Sequence, residues 1–188
     1  MLTEKYVNKM ANEVYQQNVL RGWWDDPDRS VYRTLQLVNT EIAEATEGDR
    51  KGLMDDHLRH RKMAEVEMAD TVIRLLDMAG RYGWEYKECL PFEEVQNYDE
   101  LAEAHLWLTA GCCYLAAVIL KYEFADSKKS DEIRETNNAY SMLISSILFV
   151  SKRENYDLEN AISEKLEYNK KRADHSRENR NAFKGKKY

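Results

Sequence analysis

Two matched pairs of acids carry the clearest chemical signal in this 188-residue chain: Glu41 and Glu44 in NTEIAEATE, and Glu67 and Asp70 in AEVEMADTVIRLLD. Each pair is spaced i, i+3 on a segment that reads as helix, so both acids of a pair face the same way. If the two helices pack side by side, four carboxylates enter one small volume. Like charges so crowded destabilise a fold, and a bound cation is what readily explains them. Oxygen-only ligation suits a hard cation such as Mg²⁺, with waters and phosphate oxygens completing its shell.

Acids at i, i+3 most often mark only a solvated face. Here Glu41 lies one turn from Val38 and Ala45, and Glu67 and Asp70 are flanked by Met63 and Ile73, so the acids border stripes that should be buried. Carboxylates placed there cost several kcal/mol apiece unless paired or metal-bound, on the order of known burial penalties. Near the C-terminus, Lys165, Asn169 and Arg172 fall at i, i+4, i+7 on one helix face. Spacing alone leaves two readings level: a basic helix end complementing the dipole, or a set suited to phosphate oxygens. Trp23 and Trp24 sit in a loop, where they either plug the end of a bundle or stack on a nucleobase. His57 and His60 are also i, i+3, but no Cys or further convergent ligand accompanies them, and they read as surface histidines.

Helices must position these groups. With 7 Gly and 2 Pro and few β-branched residues, the composition predicts an all-α fold of about six helices in an antiparallel bundle. The first runs from Thr3, a good N-cap, to about Leu20, followed by the loop GWWDDPDRS. The second starts near Ser30, carries the stripe Val31, Leu35, Val38, Ile42, Ala45 and stops at Gly48. The segment from Asp49 to about Arg61 is polar with a weak helical signal, and a third helix spans about Lys62 to Tyr82, closed by Gly83. A connection from Trp84 to Asn97 leads to helices at about 98–124 and 130–152, separated by the turn ADSKKS. A last helix runs from near Asp157 to about Ala173, before a polar, basic tail at 174–188. There is no repeat of fixed period, and the simplest organisation is one domain over 1–188, with 98–152 as an extra helical segment.

The charge balance, 28 Lys+Arg against 34 Asp+Glu, argues against a globally basic nucleic-acid binder but leaves metal-bound nucleotides open. Cys89, Cys112 and Cys113 show no ligand or disulfide spacing, which suits a reducing cytoplasm. The opening MLTEKYVNKM lacks the apolar core of a signal peptide. The apolar run Ala110 to Leu120 is too short to span a bilayer and reads as a buried helix. A cytoplasmic location without membrane contact is the expectation. That run and SMLISSILFV together offer more apolar surface than a small bundle needs, which favours at least a dimer.

In order, GWWDDPDR, EIAEATEGDR, EVEMADTVIRLLD and EKLEYNKKRADH, the last followed by a basic tail, resemble the MazG-like nucleotide pyrophosphohydrolases of the all-α NTP pyrophosphatase superfamily. The family's ExxE, spacer, ExxD signature is met by Glu41-x-x-Glu44 and Glu67-x-x-Asp70 with 22 residues between. The resemblance covers about Glu4 to Asn97 and Tyr156 to Tyr188; the helices at 98–152 match no motif.

The resemblance implies Mg²⁺-dependent cleavage of a (d)NTP to (d)NMP and pyrophosphate in nucleotide-pool control, with Mn²⁺ as a substitute metal, by a homodimer or homotetramer. It implies that Glu41, Glu44, Glu67 and Asp70 hold the metal and do the catalysis, Glu44 being the guess for the base. Lys165, Asn169 and Arg172 would meet phosphates, and Trp24, ahead of Trp23, the base. Thr40 stands where many relatives carry a further acid, and Arg74 puts a cation beside the site, to pair with Glu67 or Asp70 or to bind a phosphate. The alternatives are a base-specific dUTPase or dCTPase type, a non-catalytic helical interaction module and, less favoured, an RNA binder using the basic tail.

Overall fold

A computed structural model of the chain describes residues 2–124, 129–172 and 177–181. Among them are seven α-helices and no strand: α1 Glu4–Leu20, α2 Val31–Lys51, α3 Met63–Tyr82, α4 Leu101–Glu123, α5 Lys129–Arg153, α6 Leu158–Lys171 and α7 Arg177–Asn181, with a 3₁₀ turn at Glu94–Asn97. The all-α expectation holds. The short α7 falls inside the segment read as a polar tail, while the rest of that tail, Ala173 and most of the ADSKKS turn lie outside the described residues.

Helix α3 is the axis of the fold. Its residues Val66, Met68, Ala69, Val72, Leu75, Leu76, Met78 and Ala79 are all buried, because α1, α2 and α6 pack around it. Pairs across the contacts set the directions. Gly48 of α2 meets Met63 while Glu41 meets Arg74, so α2 runs antiparallel to α3. On another side Ala11 and Tyr15 of α1 meet Gly80, and Asn8 bonds Tyr86, again antiparallel. In contrast, the Asp157 N–H donates to Glu65 and Lys165 pairs with Asp70, so α6 lies parallel to α3, a departure from the antiparallel bundle expected from sequence.

Glycine marks two of these close approaches. Gly48 was expected to stop α2, yet the helix continues one turn to Lys51 and ends at Gly52, whose φ of 62° supplies the left-handed cap. Gly48 is buried instead, where an added Cβ would lie 2.8 Å from the Met63 Cβ. Gly83, with φ 72°, closes α3 as expected.

The polar segment after α2 is held by Asp55, which is buried and accepts the backbone N–H groups of His57 (2.9 Å) and Leu58 (2.6 Å). Arg61 then ties three elements together: it reaches Glu65 of α3 at 2.7 Å and Glu164 of α6 at 2.9 Å. Glu65 also accepts the Asp157 N–H at 2.8 Å, fixing where α6 starts.

The second layer is α4 with α5. The start of α4 sits at Leu101, three residues later than read from sequence, because Glu100 and Glu103 form a capping box while Tyr98 is buried and donates to Glu154 at 2.6 Å. The SMLISSILFV stretch of α5 is not spare apolar surface. Leu143, Ile144, Ile147 and Val150 are core, and the hydroxyls of Ser141 and Ser146 accept the Lys87 and Phe92 N–H groups of the extended chain beside them.

One expectation for α4 needs correction. At 23 residues it fills most of the helix read at about 98–124, and it is long and apolar enough to cross a membrane by length and composition alone. It is not a fully buried helix. Leu108, Cys112, Leu115 and Val118 face the core, while Leu106, Trp107, Tyr114 and Leu120 are exposed on the opposite side.

Candidate functional site

Antiparallel packing of α2 on α3 brings Glu41, Glu67 and Asp70 together: one carboxylate oxygen from each lies within 4.8 Å of the others. Glu41 and Glu67 are each 6 % exposed, so this is an interior cluster and not a solvated face. Glu44, one turn from Glu41, stands outside that group of three, more exposed on the wall of the adjoining cavity. The expectation of four converging acids is thus met by three, with the fourth one step away.

Cations from two helices partly offset this charge. Arg74 bonds Glu41 through Nε at 2.6 Å and Nη2 at 2.5 Å, rather than Glu67 or Asp70. Lys165 of α6, itself 4 % exposed, reaches Asp70 at 2.8 Å. Among the described residues no ion pair reaches Glu67, which instead shares a hydrogen bond with Glu41 while Lys165 acts on it from nearby. Burial, then Asp70 and Glu41, raises the Glu67 carboxyl well above the ordinary range. Asp70 is raised to about 6, chiefly by burial, against the pull of Lys165. Burial and then Glu41 also raise Glu44. Lys165 is held above its ordinary value: burial works against its charge, but Asp70 outweighs it.

The donor set fits a hard divalent cation. All donors are carboxylate oxygens, and their spread is close to the width of one coordination shell with bonds of about 2.1 to 2.5 Å. Among the described residues no histidine or cysteine joins the group. His57 and His60 are exposed, as expected: His60 contacts Glu164 at 2.9 Å, and His57 packs on Tyr168 at the cavity rim, ring centroids 4.6 Å apart.

The acids open into a cavity of about 570 Å³, large enough for a nucleotide. Lys165, Asn169 and Arg172 all line it: Lys165 and Asn169 from α6, and Arg172 as its C-cap in extended conformation, one residue past the end of a helix expected to run to about Ala173. The Oδ1 atom of Asn169 is buried without a partner among the described residues. Opposite, α1 contributes Val14, Gln17 and Asn18, and the loop after it contributes Trp23 and Arg29.

The two tryptophans divide otherwise than expected. Trp23 is on the cavity wall. Trp24 is anchored instead: its Nε1 donates to Asp77 at 2.9 Å, its ring meets Tyr15 and Tyr82 edge-on at 6.1 Å, and Arg29 lies 4.6 Å over it. Asp77 was not foreseen. It is buried on the cavity wall, accepts from Trp24 and Asn18, and is raised to about 6, first by burial. Its position i+7 from Asp70 was the available signal. Gln17 and Asn18 had none, because only the docking of α1 on α3 brings them in.

Compared with models of known families, with curated proteins and with solved structures, the chain matches none. The functional reading therefore rests on the fold and on this cavity.

Proposed function

We propose that this chain is a divalent-metal-dependent nucleoside triphosphate pyrophosphohydrolase of the all-α NTP pyrophosphatase type, releasing a nucleoside monophosphate and pyrophosphate. One observation carries the reading. A buried cluster of three carboxyl groups shares a nucleotide-sized cavity with Lys165, Asn169 and Arg172. Acids alone would suit any cation site; acids facing a lysine, an amide and a guanidinium suit a metal-bound polyphosphate.

In this reading Glu41, Glu67 and Asp70 hold Mg²⁺ or Mn²⁺. When bound, the metal supplies neutralisation of the phosphate charge that builds during attack. Lys165 exchanges part of its contact with Asp70 for a phosphate oxygen, and Asn169 and Arg172 orient the chain of phosphates. Glu44, outside the ligand group and with its carboxyl raised, is suited to take a proton from the attacking water. Trp23 offers the flat surface for the base.

The test is a panel of ribo- and deoxyribonucleoside triphosphates with Mg²⁺ and direct detection of pyrophosphate. Pyrophosphate and monophosphate should form, and Glu41→Gln and Asp70→Asn should each reduce turnover by about 10²-fold or more. Unchanged turnover in both variants, or release of diphosphate and inorganic phosphate, would sink the proposal.

A further inference from the structure

Asp77 has no part in the metal and phosphate chemistry, yet it is a buried carboxylate on the wall of the same cavity. It follows Asp70 by seven residues on α3, so it shares that face about 10 Å further along the axis. That offset is comparable to the reach of a nucleotide from its first phosphate to the far edge of its base. Asn18 of α1 bonds it, and Gln17 and Trp23 line the same cavity.

Its known partners are Trp24 Nε1 at 2.9 Å and the side chain of Asn18. A carboxylate offers about four acceptor positions, so two donors leave room for more. Anchoring an indole N–H does not itself require a charge. An amide oxygen would serve without the cost of burying a carboxylate. The Arg29 and Arg74 guanidinium groups act on its charge without offsetting burial, and a ligand that brings further N–H donors would fill its remaining acceptor positions.

We propose that Asp77, aided by Asn18, accepts from the exocyclic amino group of the substrate's base, so that this site selects cytosine, adenine or guanine nucleotides over uracil and thymine nucleotides. The inference rests on the hydrolase reading above and supplies its substrate class. Cytosine and uracil differ at C4 and N3. A carboxylate placed at C4 accepts from the amino group of cytosine but opposes the C4 carbonyl of uracil lone pair to lone pair. A carboxylate at N3 would accept from uracil, so the preference places Asp77 at the C4 position. A site built around such a contact rejects the analogue that lacks it, because the buried acceptor is then left facing a repulsive partner.

The experiment compares kcat/KM for dCTP and dUTP, and in parallel the calorimetric affinities of dCMP and dUMP, in wild type, Asp77→Asn and Asn18→Ala. Wild type should favour the cytosine nucleotide by at least about tenfold in either measurement. Asp77→Asn keeps an acceptor for Trp24 but adds a donor, and should bring the ratio to within about threefold of unity or invert it. Asn18→Ala should lower the ratio to a lesser degree. Thermal melting checks that the variants fold, and the wild-type ratio is decisive even if they do not. If neither triphosphate is cleaved but dCMP still binds more tightly than dUMP in an Asp77-dependent way, the hydrolase reading fails and the base reading stands. A wild-type preference for the uracil nucleotide, no binding of either monophosphate, or a ratio unmoved in folded Asp77→Asn would overturn it.

Discussion

Glu44 and Glu67 share a spacing motif but occupy different settings, and they should fail in different ways. Glu67 is buried within the three-acid group, whereas Glu44 is on the open wall. Glu67→Gln should abolish Mn²⁺ binding measured by calorimetry together with activity. Glu44→Gln should keep Mn²⁺ affinity within about threefold while kcat falls about 10² to 10⁴, the usual contribution of a general base. Equal loss of Mn²⁺ affinity in both variants would return Glu44 to the ligands. Asp77 makes a pH prediction. Its folded-state carboxyl titrates at about 6 against an ordinary 3.8. Below about pH 4 both states are protonated and burial costs nothing; between pH 4 and 6 the unfolded chain loses its proton first, so stability falls, by about 3 kcal/mol once pH 7 is reached. Asp77→Asn escapes this penalty. Urea denaturation should show its stability relative to wild type growing from pH 4 to 7, and a pH-independent difference would contradict the account. The acids were legible from sequence because spacing on a helix fixes their direction. The partners of Arg74 and Trp24 were not, because they depend on which helix docks opposite.

Helix positions read well where a local signal dictates them: Thr3 caps α1, accepting the Tyr6 N–H at 3.3 Å, and Gly83 ends α3. They misread where tertiary contact overrides the signal, as at Gly48, kept for its approach to Met63. Gly48→Ala should therefore destabilise the fold by about 1 to 3 kcal/mol, more than an Ala placed in an exposed helix, because Met63 must shift. Arg61 is the other element-scale test. It joins the segment after α2 to α3 and α6, and α6 carries Lys165. Arg61→Ala leaves Glu65 buried without its cation and should cost about 3 to 5 kcal/mol in urea denaturation. A loss under 1 kcal/mol would show that α6 docks through its apolar residues alone.

At the scale of the whole molecule, α4 is the element whose surface is not accounted for within one chain. Leu106, Trp107, Tyr114 and Leu120 are exposed apolar side chains of this helix, and the expectation they bear on is a homodimer or homotetramer. Sedimentation equilibrium should find a dimer at micromolar concentration, and Leu106→Lys with Tyr114→Lys should yield a monomer. A monomeric wild type would contradict this. A more local question is whether the interior acids hold a divalent ion, as proposed above. Diffraction from crystals grown with Mn²⁺, recorded for its anomalous signal, tests it most directly. A peak bounded by Glu41, Glu67 and Asp70, absent in Glu67→Gln, is the predicted result. A wild-type crystal at millimolar Mn²⁺ with no peak among those three carboxylates would contradict it.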